Sequence, residues 1–165
     1  LEDTERTNLL DLMEDEDSIP VEKLLTYPED TAGGIMTTEY STIPVGLRAA
    51  EALEYLRHSK EAREDETMYN LHIVDEQGKL CGVLSLRDLV MADPNAPVAE
   101  IMNDHPVTVE PLMPQREVAR LVAKYNLLEV PVVDEEGVMH GIVTVDDAID
   151  ANIPTAWKKR LPRFF

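Results

Sequence analysis

GVLSLRDL at residues 82–89 and GIVTVDDA at residues 141–148 are two versions of one motif. Each follows an apolar run that ends in Asp and then a glycine-containing turn, HIVDEQG at 72–78 and PVVDEEG at 131–137. The two stretches align without a gap at a spacing of 59 residues. A fixed internal period of this kind marks one supersecondary unit present twice, which buries its apolar face against its own copy. Two copies packed in this way leave two related clefts.

Upstream of each motif the pattern repeats. STIPV at 41–45 reads as a short strand, and 49–58 as an amphipathic helix with Ala49, Ala52, Leu53 and Leu56 on one face. The charged stretch 59–67 loops or extends that helix. Residues 71–74 and 80–84 read as strands joined by a turn at Gln77-Gly78, and Ser85 caps a helix over 86–91. In the second copy Ile101-Met102 matches Ile35-Met36, 107–109 reads as a strand, and 115–124 as a helix with Val118, Leu121 and Val122 inward. Strands at 130–133 and 139–143 follow, then a helix from Thr144 through Ile149. Each copy is thus strand–helix–strand–strand–helix, an α/β unit. Between them, DPNAP at 93–97 holds two prolines, which stop a continuing helix.

The flanks differ in sign. Residues 1–30 carry eleven acidic side chains against Arg6 and Lys23, with Leu9, Leu10, Leu12 and Met13 near helical spacing, and read as short helices. YPEDTAGGIM at 27–36 is a turn-rich connector punctuated by Pro28, Gly33 and Gly34. The tail, 153–165, carries Lys158, Lys159, Arg160 and Arg163 with Trp157 and Phe164-Phe165. Four regions follow: a helical remnant with connector at 1–32, repeat 1 at 33–95, repeat 2 at 96–152 and a basic tail at 153–165.

The 165 residues have a net charge of −18 and a hydrophobic content of 44%, with eight aromatic residues, so aliphatic side chains must build the core. That charge argues against nucleic acid, whose phosphates need clustered Lys and Arg. It favours cations, or serves solubility alone. Cys81 is the single cysteine, which excludes an internal disulfide and a cysteine-based zinc site. No apolar run nears 18 residues and the sequence carries no signal-peptide pattern, so a reducing cytosol is the expected compartment. The opening at Leu1 is expected for a piece of a longer protein. His58, His72, His105 and His140 are scattered without ligand spacing. No nucleophile–base pair, hydrolase metal spacing or phosphate-cradling glycine loop is present, so no catalysis is expected.

The motif itself, Gly-apolar-apolar-Ser/Thr-x-x-Asp, has two uses. Ser85 and Thr144 can cap a helix by accepting the backbone N–H three residues on, where Asp88 and Asp147 also suit the positive helix end. Alternatively, the carboxylate can take two ribose hydroxyls while the hydroxyl and free N–H groups face a phosphate.

With two such units in tandem, the segment from Ile35 to Asn152 resembles the cystathionine-β-synthase (CBS) domain pair. The resemblance implies a pseudo-two-fold disc with two clefts, many of which hold an adenine nucleotide such as ATP. It implies Ser85 and Asp88 in one cleft and Thr144 and Asp147 in the other, with Val107 and Pro131 lining the walls. It also implies a homodimer built through the pair. YPEDTAGGIMTTEY at 27–40 resembles the join between the helical and CBS domains of MgtE-type magnesium transporters. This second resemblance implies a cytosolic regulatory module of a longer chain with a transmembrane pore, in which Mg²⁺ ions bridge carboxylates between domains. Magnesium prefers oxygen ligands and keeps several waters, which suits such bridging. Asp147 and Asp150 lie three apart and Asp146 and Asp150 four apart on the last helix, each pair on one face, and Gly34 could offer a backbone carbonyl. Two departures stand out. Leu127 lies where nucleotide-binding relatives place an aromatic side chain, and the basic tail replaces the acidic helix that leads to the pore in that family. The tail could instead meet anionic lipid.

Overall fold

The computed structural model describes residues 27–64 and 68–150, Asp150 by its backbone alone. In chain order the elements are α1 (Ala32–Ile35), β1 (Thr42–Pro44), α2 (Ala49–His58), α3 (Lys60–Glu64), β2 (Asn70–Val74), β3 (Leu80–Ser85), α4 (Leu86–Met91), α5 (Val98–Ile101), α6 (Gln115–Tyr125), β4 (Glu129–Val133), β5 (Met139–Thr144) and α7 (Val145–Asp150). β2 and β3 form one antiparallel hairpin, and β4 and β5 the other.

The hairpins are copies down to their irregularities. Each carries a register shift at the matched place, between Ile73 and Val74 and between Val132 and Val133. Each turn closes on an Asp carboxylate. Asp75 Oδ1 accepts the Gln77 and Lys79 amides at 2.9 Å, and Asp134 Oδ1 accepts those of Glu136 and Val138 at 2.9 and 3.0 Å. Gly78 and Gly137 take the positive φ that ends the turn, 78° and 83°. The Asp-x-x-Gly signature is thus a turn device. The two turns also meet, the Leu80 amide donating to Gly137 and the Met139 amide to Gly78.

The structure corrects three sequence expectations. The expected strand at 107–109 is a single parallel bridge, Val109 to Val132, where its counterpart β1 pairs with β2 over three residues. Pro106 and Pro111 flank it and supply no N–H to a longer ladder. The connector at 27–36 contains a helical turn, α1, capped by Thr31 Oγ1 accepting from the Gly34 amide at 3.2 Å. Its glycines serve close approach, since a Cβ on Gly33 would enter the Tyr27 ring and one on Gly34 would meet the Pro28 carbonyl. The stretch after α2 makes a separate turn, α3, because Ser59 is extended and re-caps the chain.

Packing cuts across the repeat. One buried cluster holds Ile43, Leu56, Leu71, Ile73, Leu84 and Leu89 of repeat 1 together with Val98 of α5, and Ile101 and Met102 pack against it. The other holds Val109, Val118, Val122, Val130, Val132 and Val143 of repeat 2 together with Ala32 and Met36 from the chain before β1. Each leading segment therefore nests in the other repeat. Backbone pairs fix the exchange. Thr37 and Ile142 trade hydrogen bonds at 2.8 and 3.0 Å, and Val83 and Asn103 do so at 2.9 Å each way. This crossing explains the glycine that opens each motif. A Cβ at Gly82 would lie 2.6 Å from Met102 Sδ and 2.8 Å from the Asn103 carbonyl. One at Gly141 would lie 2.7 Å from both Met36 Sδ and the Thr37 carbonyl.

Both long helices start on borrowed acceptors. Ala49 and Ala50 at the head of α2 donate to Ala96 and Pro94 of the linker. Gln115 at the head of α6 donates to Asp30. Orphan amides of a first turn need such partners. Of the expected apolar faces, Ala49, Ala52 and Leu56 are buried on α2 and Val118 and Val122 on α6, Leu53 and Leu121 pack half-buried against the same cores, and Ala119 joins the buried face of α6.

Candidate nucleotide cleft

Where the crossing segment passes from Asn103 toward Val109, it roofs a cleft of about 490 Å³ between the repeats. Repeat 1 supplies one wall, through the end of β3 and the start of α4. Ser85 is the N-cap of α4, and its Oγ accepts the Asp88 amide at 3.0 Å. The cap places the exposed Asp88 carboxylate at the cleft mouth. Repeat 2 supplies the other wall with Val107, Leu127 and Pro131. The Val109 amide donates to the Pro131 carbonyl at 3.0 Å, which ties the roof to β4.

Ser85, Asp88, Val107 and Pro131 therefore come together in one cavity. Sequence reasoning missed Asn70, Asn103, His105 and Glu129, which also line it. For Asn70 a signal existed. It pairs in register with Ser85, as Glu129 pairs with Thr144, so a hairpin alignment drawn through the turn would have found both. Asn103 and His105 arrive on the crossing segment, and nothing local announces that. Glu129 is buried, 8% exposed. His105 at the rim sits 2.7 Å from Asp104, whose carboxyl that contact holds below the usual range.

Thr144 and Asp147 occupy the matched corner with different bonding. The Thr144 hydroxyl donates to Asp147 Oδ2 at 2.9 Å, and the Asp147 amide lies 3.5 Å from Thr144 Oγ1. In repeat 1 the residue aligned with Pro131 is His72, which is 1% exposed. The Tyr40 ring meets it edge to face at 5.8 Å, and burial pushes the Tyr40 phenol up.

Of the suggested metal ligands, Asp146 and Asp147 lie exposed in the first turn of α7. Gly34 sits on α1, which packs against β5, the strand leading into α7. The Asp150 side chain lies outside the described residues, as do the acidic segment at 1–26 and the basic tail. Among the described residues no three His, Cys, Asp or Glu side chains form a group that could hold a metal ion. Two carboxylates of α7 could share an ion with a further segment, but they do not make a complete site. Nor is any helix of the described residues long and apolar enough to cross a membrane. The Cys81 thiol, half-buried, is pushed up by burial and by the nearby Asp75 charge, which disfavours the thiolate.

A repeated α/β unit with crossed leading segments and an inter-repeat cleft is the architecture of a CBS domain pair. The CBS domain family model matches residues 32–95 and 98–153, and the chain belongs to that family. Over 142 residues it is 51% identical to the magnesium transporter MgtE of Thermus thermophilus, a match covering 86% of this chain and 31% of that protein. The chain thus spans about a third of that relative's length. It also superposes on the cytosolic domain of the Mg²⁺ channel MgtE in complex with ATP. There the TM-score is 0.83 at 49% identity, over 91% of this chain and 60% of that one. The soluble part of a magnesium transporter matches at TM-score 0.84 and 36% identity, over 92% of this chain and 59% of that one.

Proposed function

We propose that this chain is the cytosolic regulatory module of an MgtE-like magnesium transport protein, holding an adenine nucleotide in the Ser85–Asp88 cleft and responding to Mg²⁺. The observation that carries the reading is the convergence of Ser85, Asp88, Val107 and Pro131 on one cavity, in a fold whose relative is described with ATP bound. The Asp88 carboxylate would accept the two ribose hydroxyls, and the apolar walls would hold the base. The matched Thr144–Asp147 corner is the second candidate cleft.

Mg²⁺ would act as a bridge rather than as a resident of this module. Asp146, Asp147 and Asp150 would face carboxylates of adjoining domains, with the Gly34 carbonyl nearby. When the ion leaves, those carboxylates repel and the domains separate, a signal an attached transmembrane pore can read. The basic tail would run toward the membrane surface, where anionic lipid attracts Lys and Arg. The module regulates and does not catalyse.

Thermal unfolding with Mg²⁺ and ATP titrated separately tests the reading. A ligand bound only by the folded state at 100 times its Kd adds about 2.7 kcal/mol. Unchanged unfolding with both ligands would reject it.

A second reading makes the pair a dimerisation scaffold. It is supported by large apolar side chains left exposed at matched places. Tyr69 and Leu128 precede the paired motif strands, and Val90 and Ile149 lie on α4 and α7. Their exposures run from 48% to 58%, and Met91 beside them reaches 76%. Two related apolar faces suit a symmetric partner. A concentration-dependent dimer in sedimentation, indifferent to nucleotide, would favour this reading.

A further inference from the structure

α6 carries its positive charge along one line. Arg116, Arg120 and Lys124 are spaced four apart and exposed on one face, with Val118, Ala119 and Val122 buried on the other side. Glu117 is the single carboxylate of the helix, so its exposed face holds three positive charges against one negative. Among the described residues none of these three cations pairs with a carboxylate. On α2 and α3, by contrast, Arg57 meets Glu54 at 2.7 Å and Lys60 lies 3.9 Å from Glu64. The basic line goes unanswered in a chain with 33 acidic and 15 basic side chains.

The chain itself brings the opposite charge to the head of this helix. The Gln115 amide donates to the Asp30 carbonyl, Thr31 bridges to Pro114, and the Ala32 and Gly33 amides donate to Met113 and Pro111. Leu112, between those two acceptors, is 66% exposed. Residues 1–26, outside the described residues, join the chain at this point. They hold nine acidic side chains, among them Asp11, Glu14, Asp15, Glu16 and Asp17. α6 is about 16 Å long, and the stretch from Asp17 to Tyr27 spans about 15 Å if helical and about 33 Å if extended, so the acidic run reaches the whole basic line.

We propose that the line Arg116–Arg120–Lys124 is the docking face for the acidic stretch Asp11–Asp17 of the same chain, held by direct ion pairs, with Leu24 and Leu25 covering Leu112. The arginines supply fixed charge and paired donors for carboxylates. The clasp uses no metal, so it is independent of the ion-bridged carboxylates proposed for α7 and persists in a chelator. Each exposed pair is weak, but three on one tether give about a tenfold preference for the docked arrangement. Salt screens exposed pairs and releases the stretch.

Carbodiimide coupling, which joins an amine to a carboxylate in contact with it, tests the clasp on the unaltered chain in a chelator at low ionic strength. Peptide mapping should find Lys124 joined to the 11–17 stretch, and a mixture of isotope-labelled and unlabelled chains should show the link within one chain. Roughly 0.5 M salt should cut its yield about fivefold. Hydrogen exchange over residues 9–17 should quicken about fivefold or more in the triple variant Arg116→Glu, Arg120→Glu, Lys124→Glu. Adding Asp15→Lys, Glu16→Lys and Asp17→Lys to that variant should restore the parent rate. The three helix positions are exposed, and urea unfolding checks that the variants keep the fold. No product between Lys124 and the 11–17 stretch would overturn the proposal, as would coupling of that stretch to Lys158 or Lys159 in its place. Exchange unmoved by the charge reversal would overturn it too. Absence of the link, together with binding of the parent but not the triple variant to phosphatidylserine vesicles, would overturn it and give the face to a membrane.

Discussion

The corners at Ser85–Asp88 and Thr144–Asp147 share their spacing, their helix and their place at the end of a hairpin, yet they spend their hydrogen bonds differently. Ser85 caps α4 through a 3.0 Å bond from the Asp88 amide. Thr144 directs its hydroxyl onto the Asp147 carboxylate at 2.9 Å, and its cap contact stretches to 3.5 Å. The first corner thus presents a carboxylate outward at a cavity, and the second partly satisfies its carboxylate internally. Across the hairpin, Pro131 lines the first cavity, whereas the aligned His72 is buried under Tyr40. A repeated motif fixes a backbone. The side chains opposite it decide whether that backbone becomes a binding site.

The largest expected effect tests what the repeats share. Gly82→Val and Gly141→Val each force a side chain into a crossing Met and a backbone carbonyl, and each should cost about 3 kcal/mol or more of unfolding free energy in urea. A cost below about 1 kcal/mol for either one would show that its crossing is not tightly packed.

Next comes the difference itself. Asp88→Ala should weaken nucleoside binding about tenfold or more by calorimetry, the usual weight of hydrogen bonds to a charged group. Asp147→Ala should leave that affinity within about twofold, because its carboxylate serves the other corner. Equal losses from the two variants would mean that both corners bind alike.

A smaller effect separates the caps. Ser85→Ala should cost about 1 kcal/mol of stability, and Thr144→Ala less, since its cap contact is the longer one. The reverse order, measured by chemical unfolding, would refute the reading of the two geometries.

The smallest effect is in the hairpin turns, where Asp134 differs from Asp75 by a partner. His140 Nε2 lies 2.7 Å from Asp134 Oδ2, and this hydrogen bond holds the Asp134 carboxyl below the usual carboxylate range. The aligned residue in repeat 1 is Cys81. A depressed pKa contributes stability above the unfolded value, about pH 4, and that contribution disappears as pH falls through the folded value. His140→Cys should therefore be less stable than the parent near pH 6, with the gap closing below about pH 4. A gap that stays constant across that range would show that the variant loses packing alone.

Much of this fold was legible because repetition doubles every signal. The helix at Ala49–His58 fell on its expected residues, and the Asp-x-x-Gly turns marked both hairpins. What resisted reading was non-local. Gly33 and Gly34 suggested a loop, yet they let a helical turn approach Tyr27 and Pro28, contacts with no local pattern. Val107 to Val109 had strand composition, but their prolines limit the pairing to one bridge. At the site, Ser85 and Asp88 were visible through their motif, whereas Asn103 and His105 reach the cleft only because the chain crosses over β3.

That crossing has a mechanical consequence. Residues ahead of β1 are buried with repeat 2, and residues ahead of the 107–109 segment are buried with repeat 1. A tug on the chain before Thr37 is therefore delivered first to the core beneath Thr144 and Asp147, through the Thr37–Ile142 bonds. α7 packs on β5, which carries Ile142 to the same junction. The two ends of the described chain meet in one buried cluster, so a domain attached at the front and one attached at the back would pull on the same packed junction, away from the Ser85–Asp88 cleft.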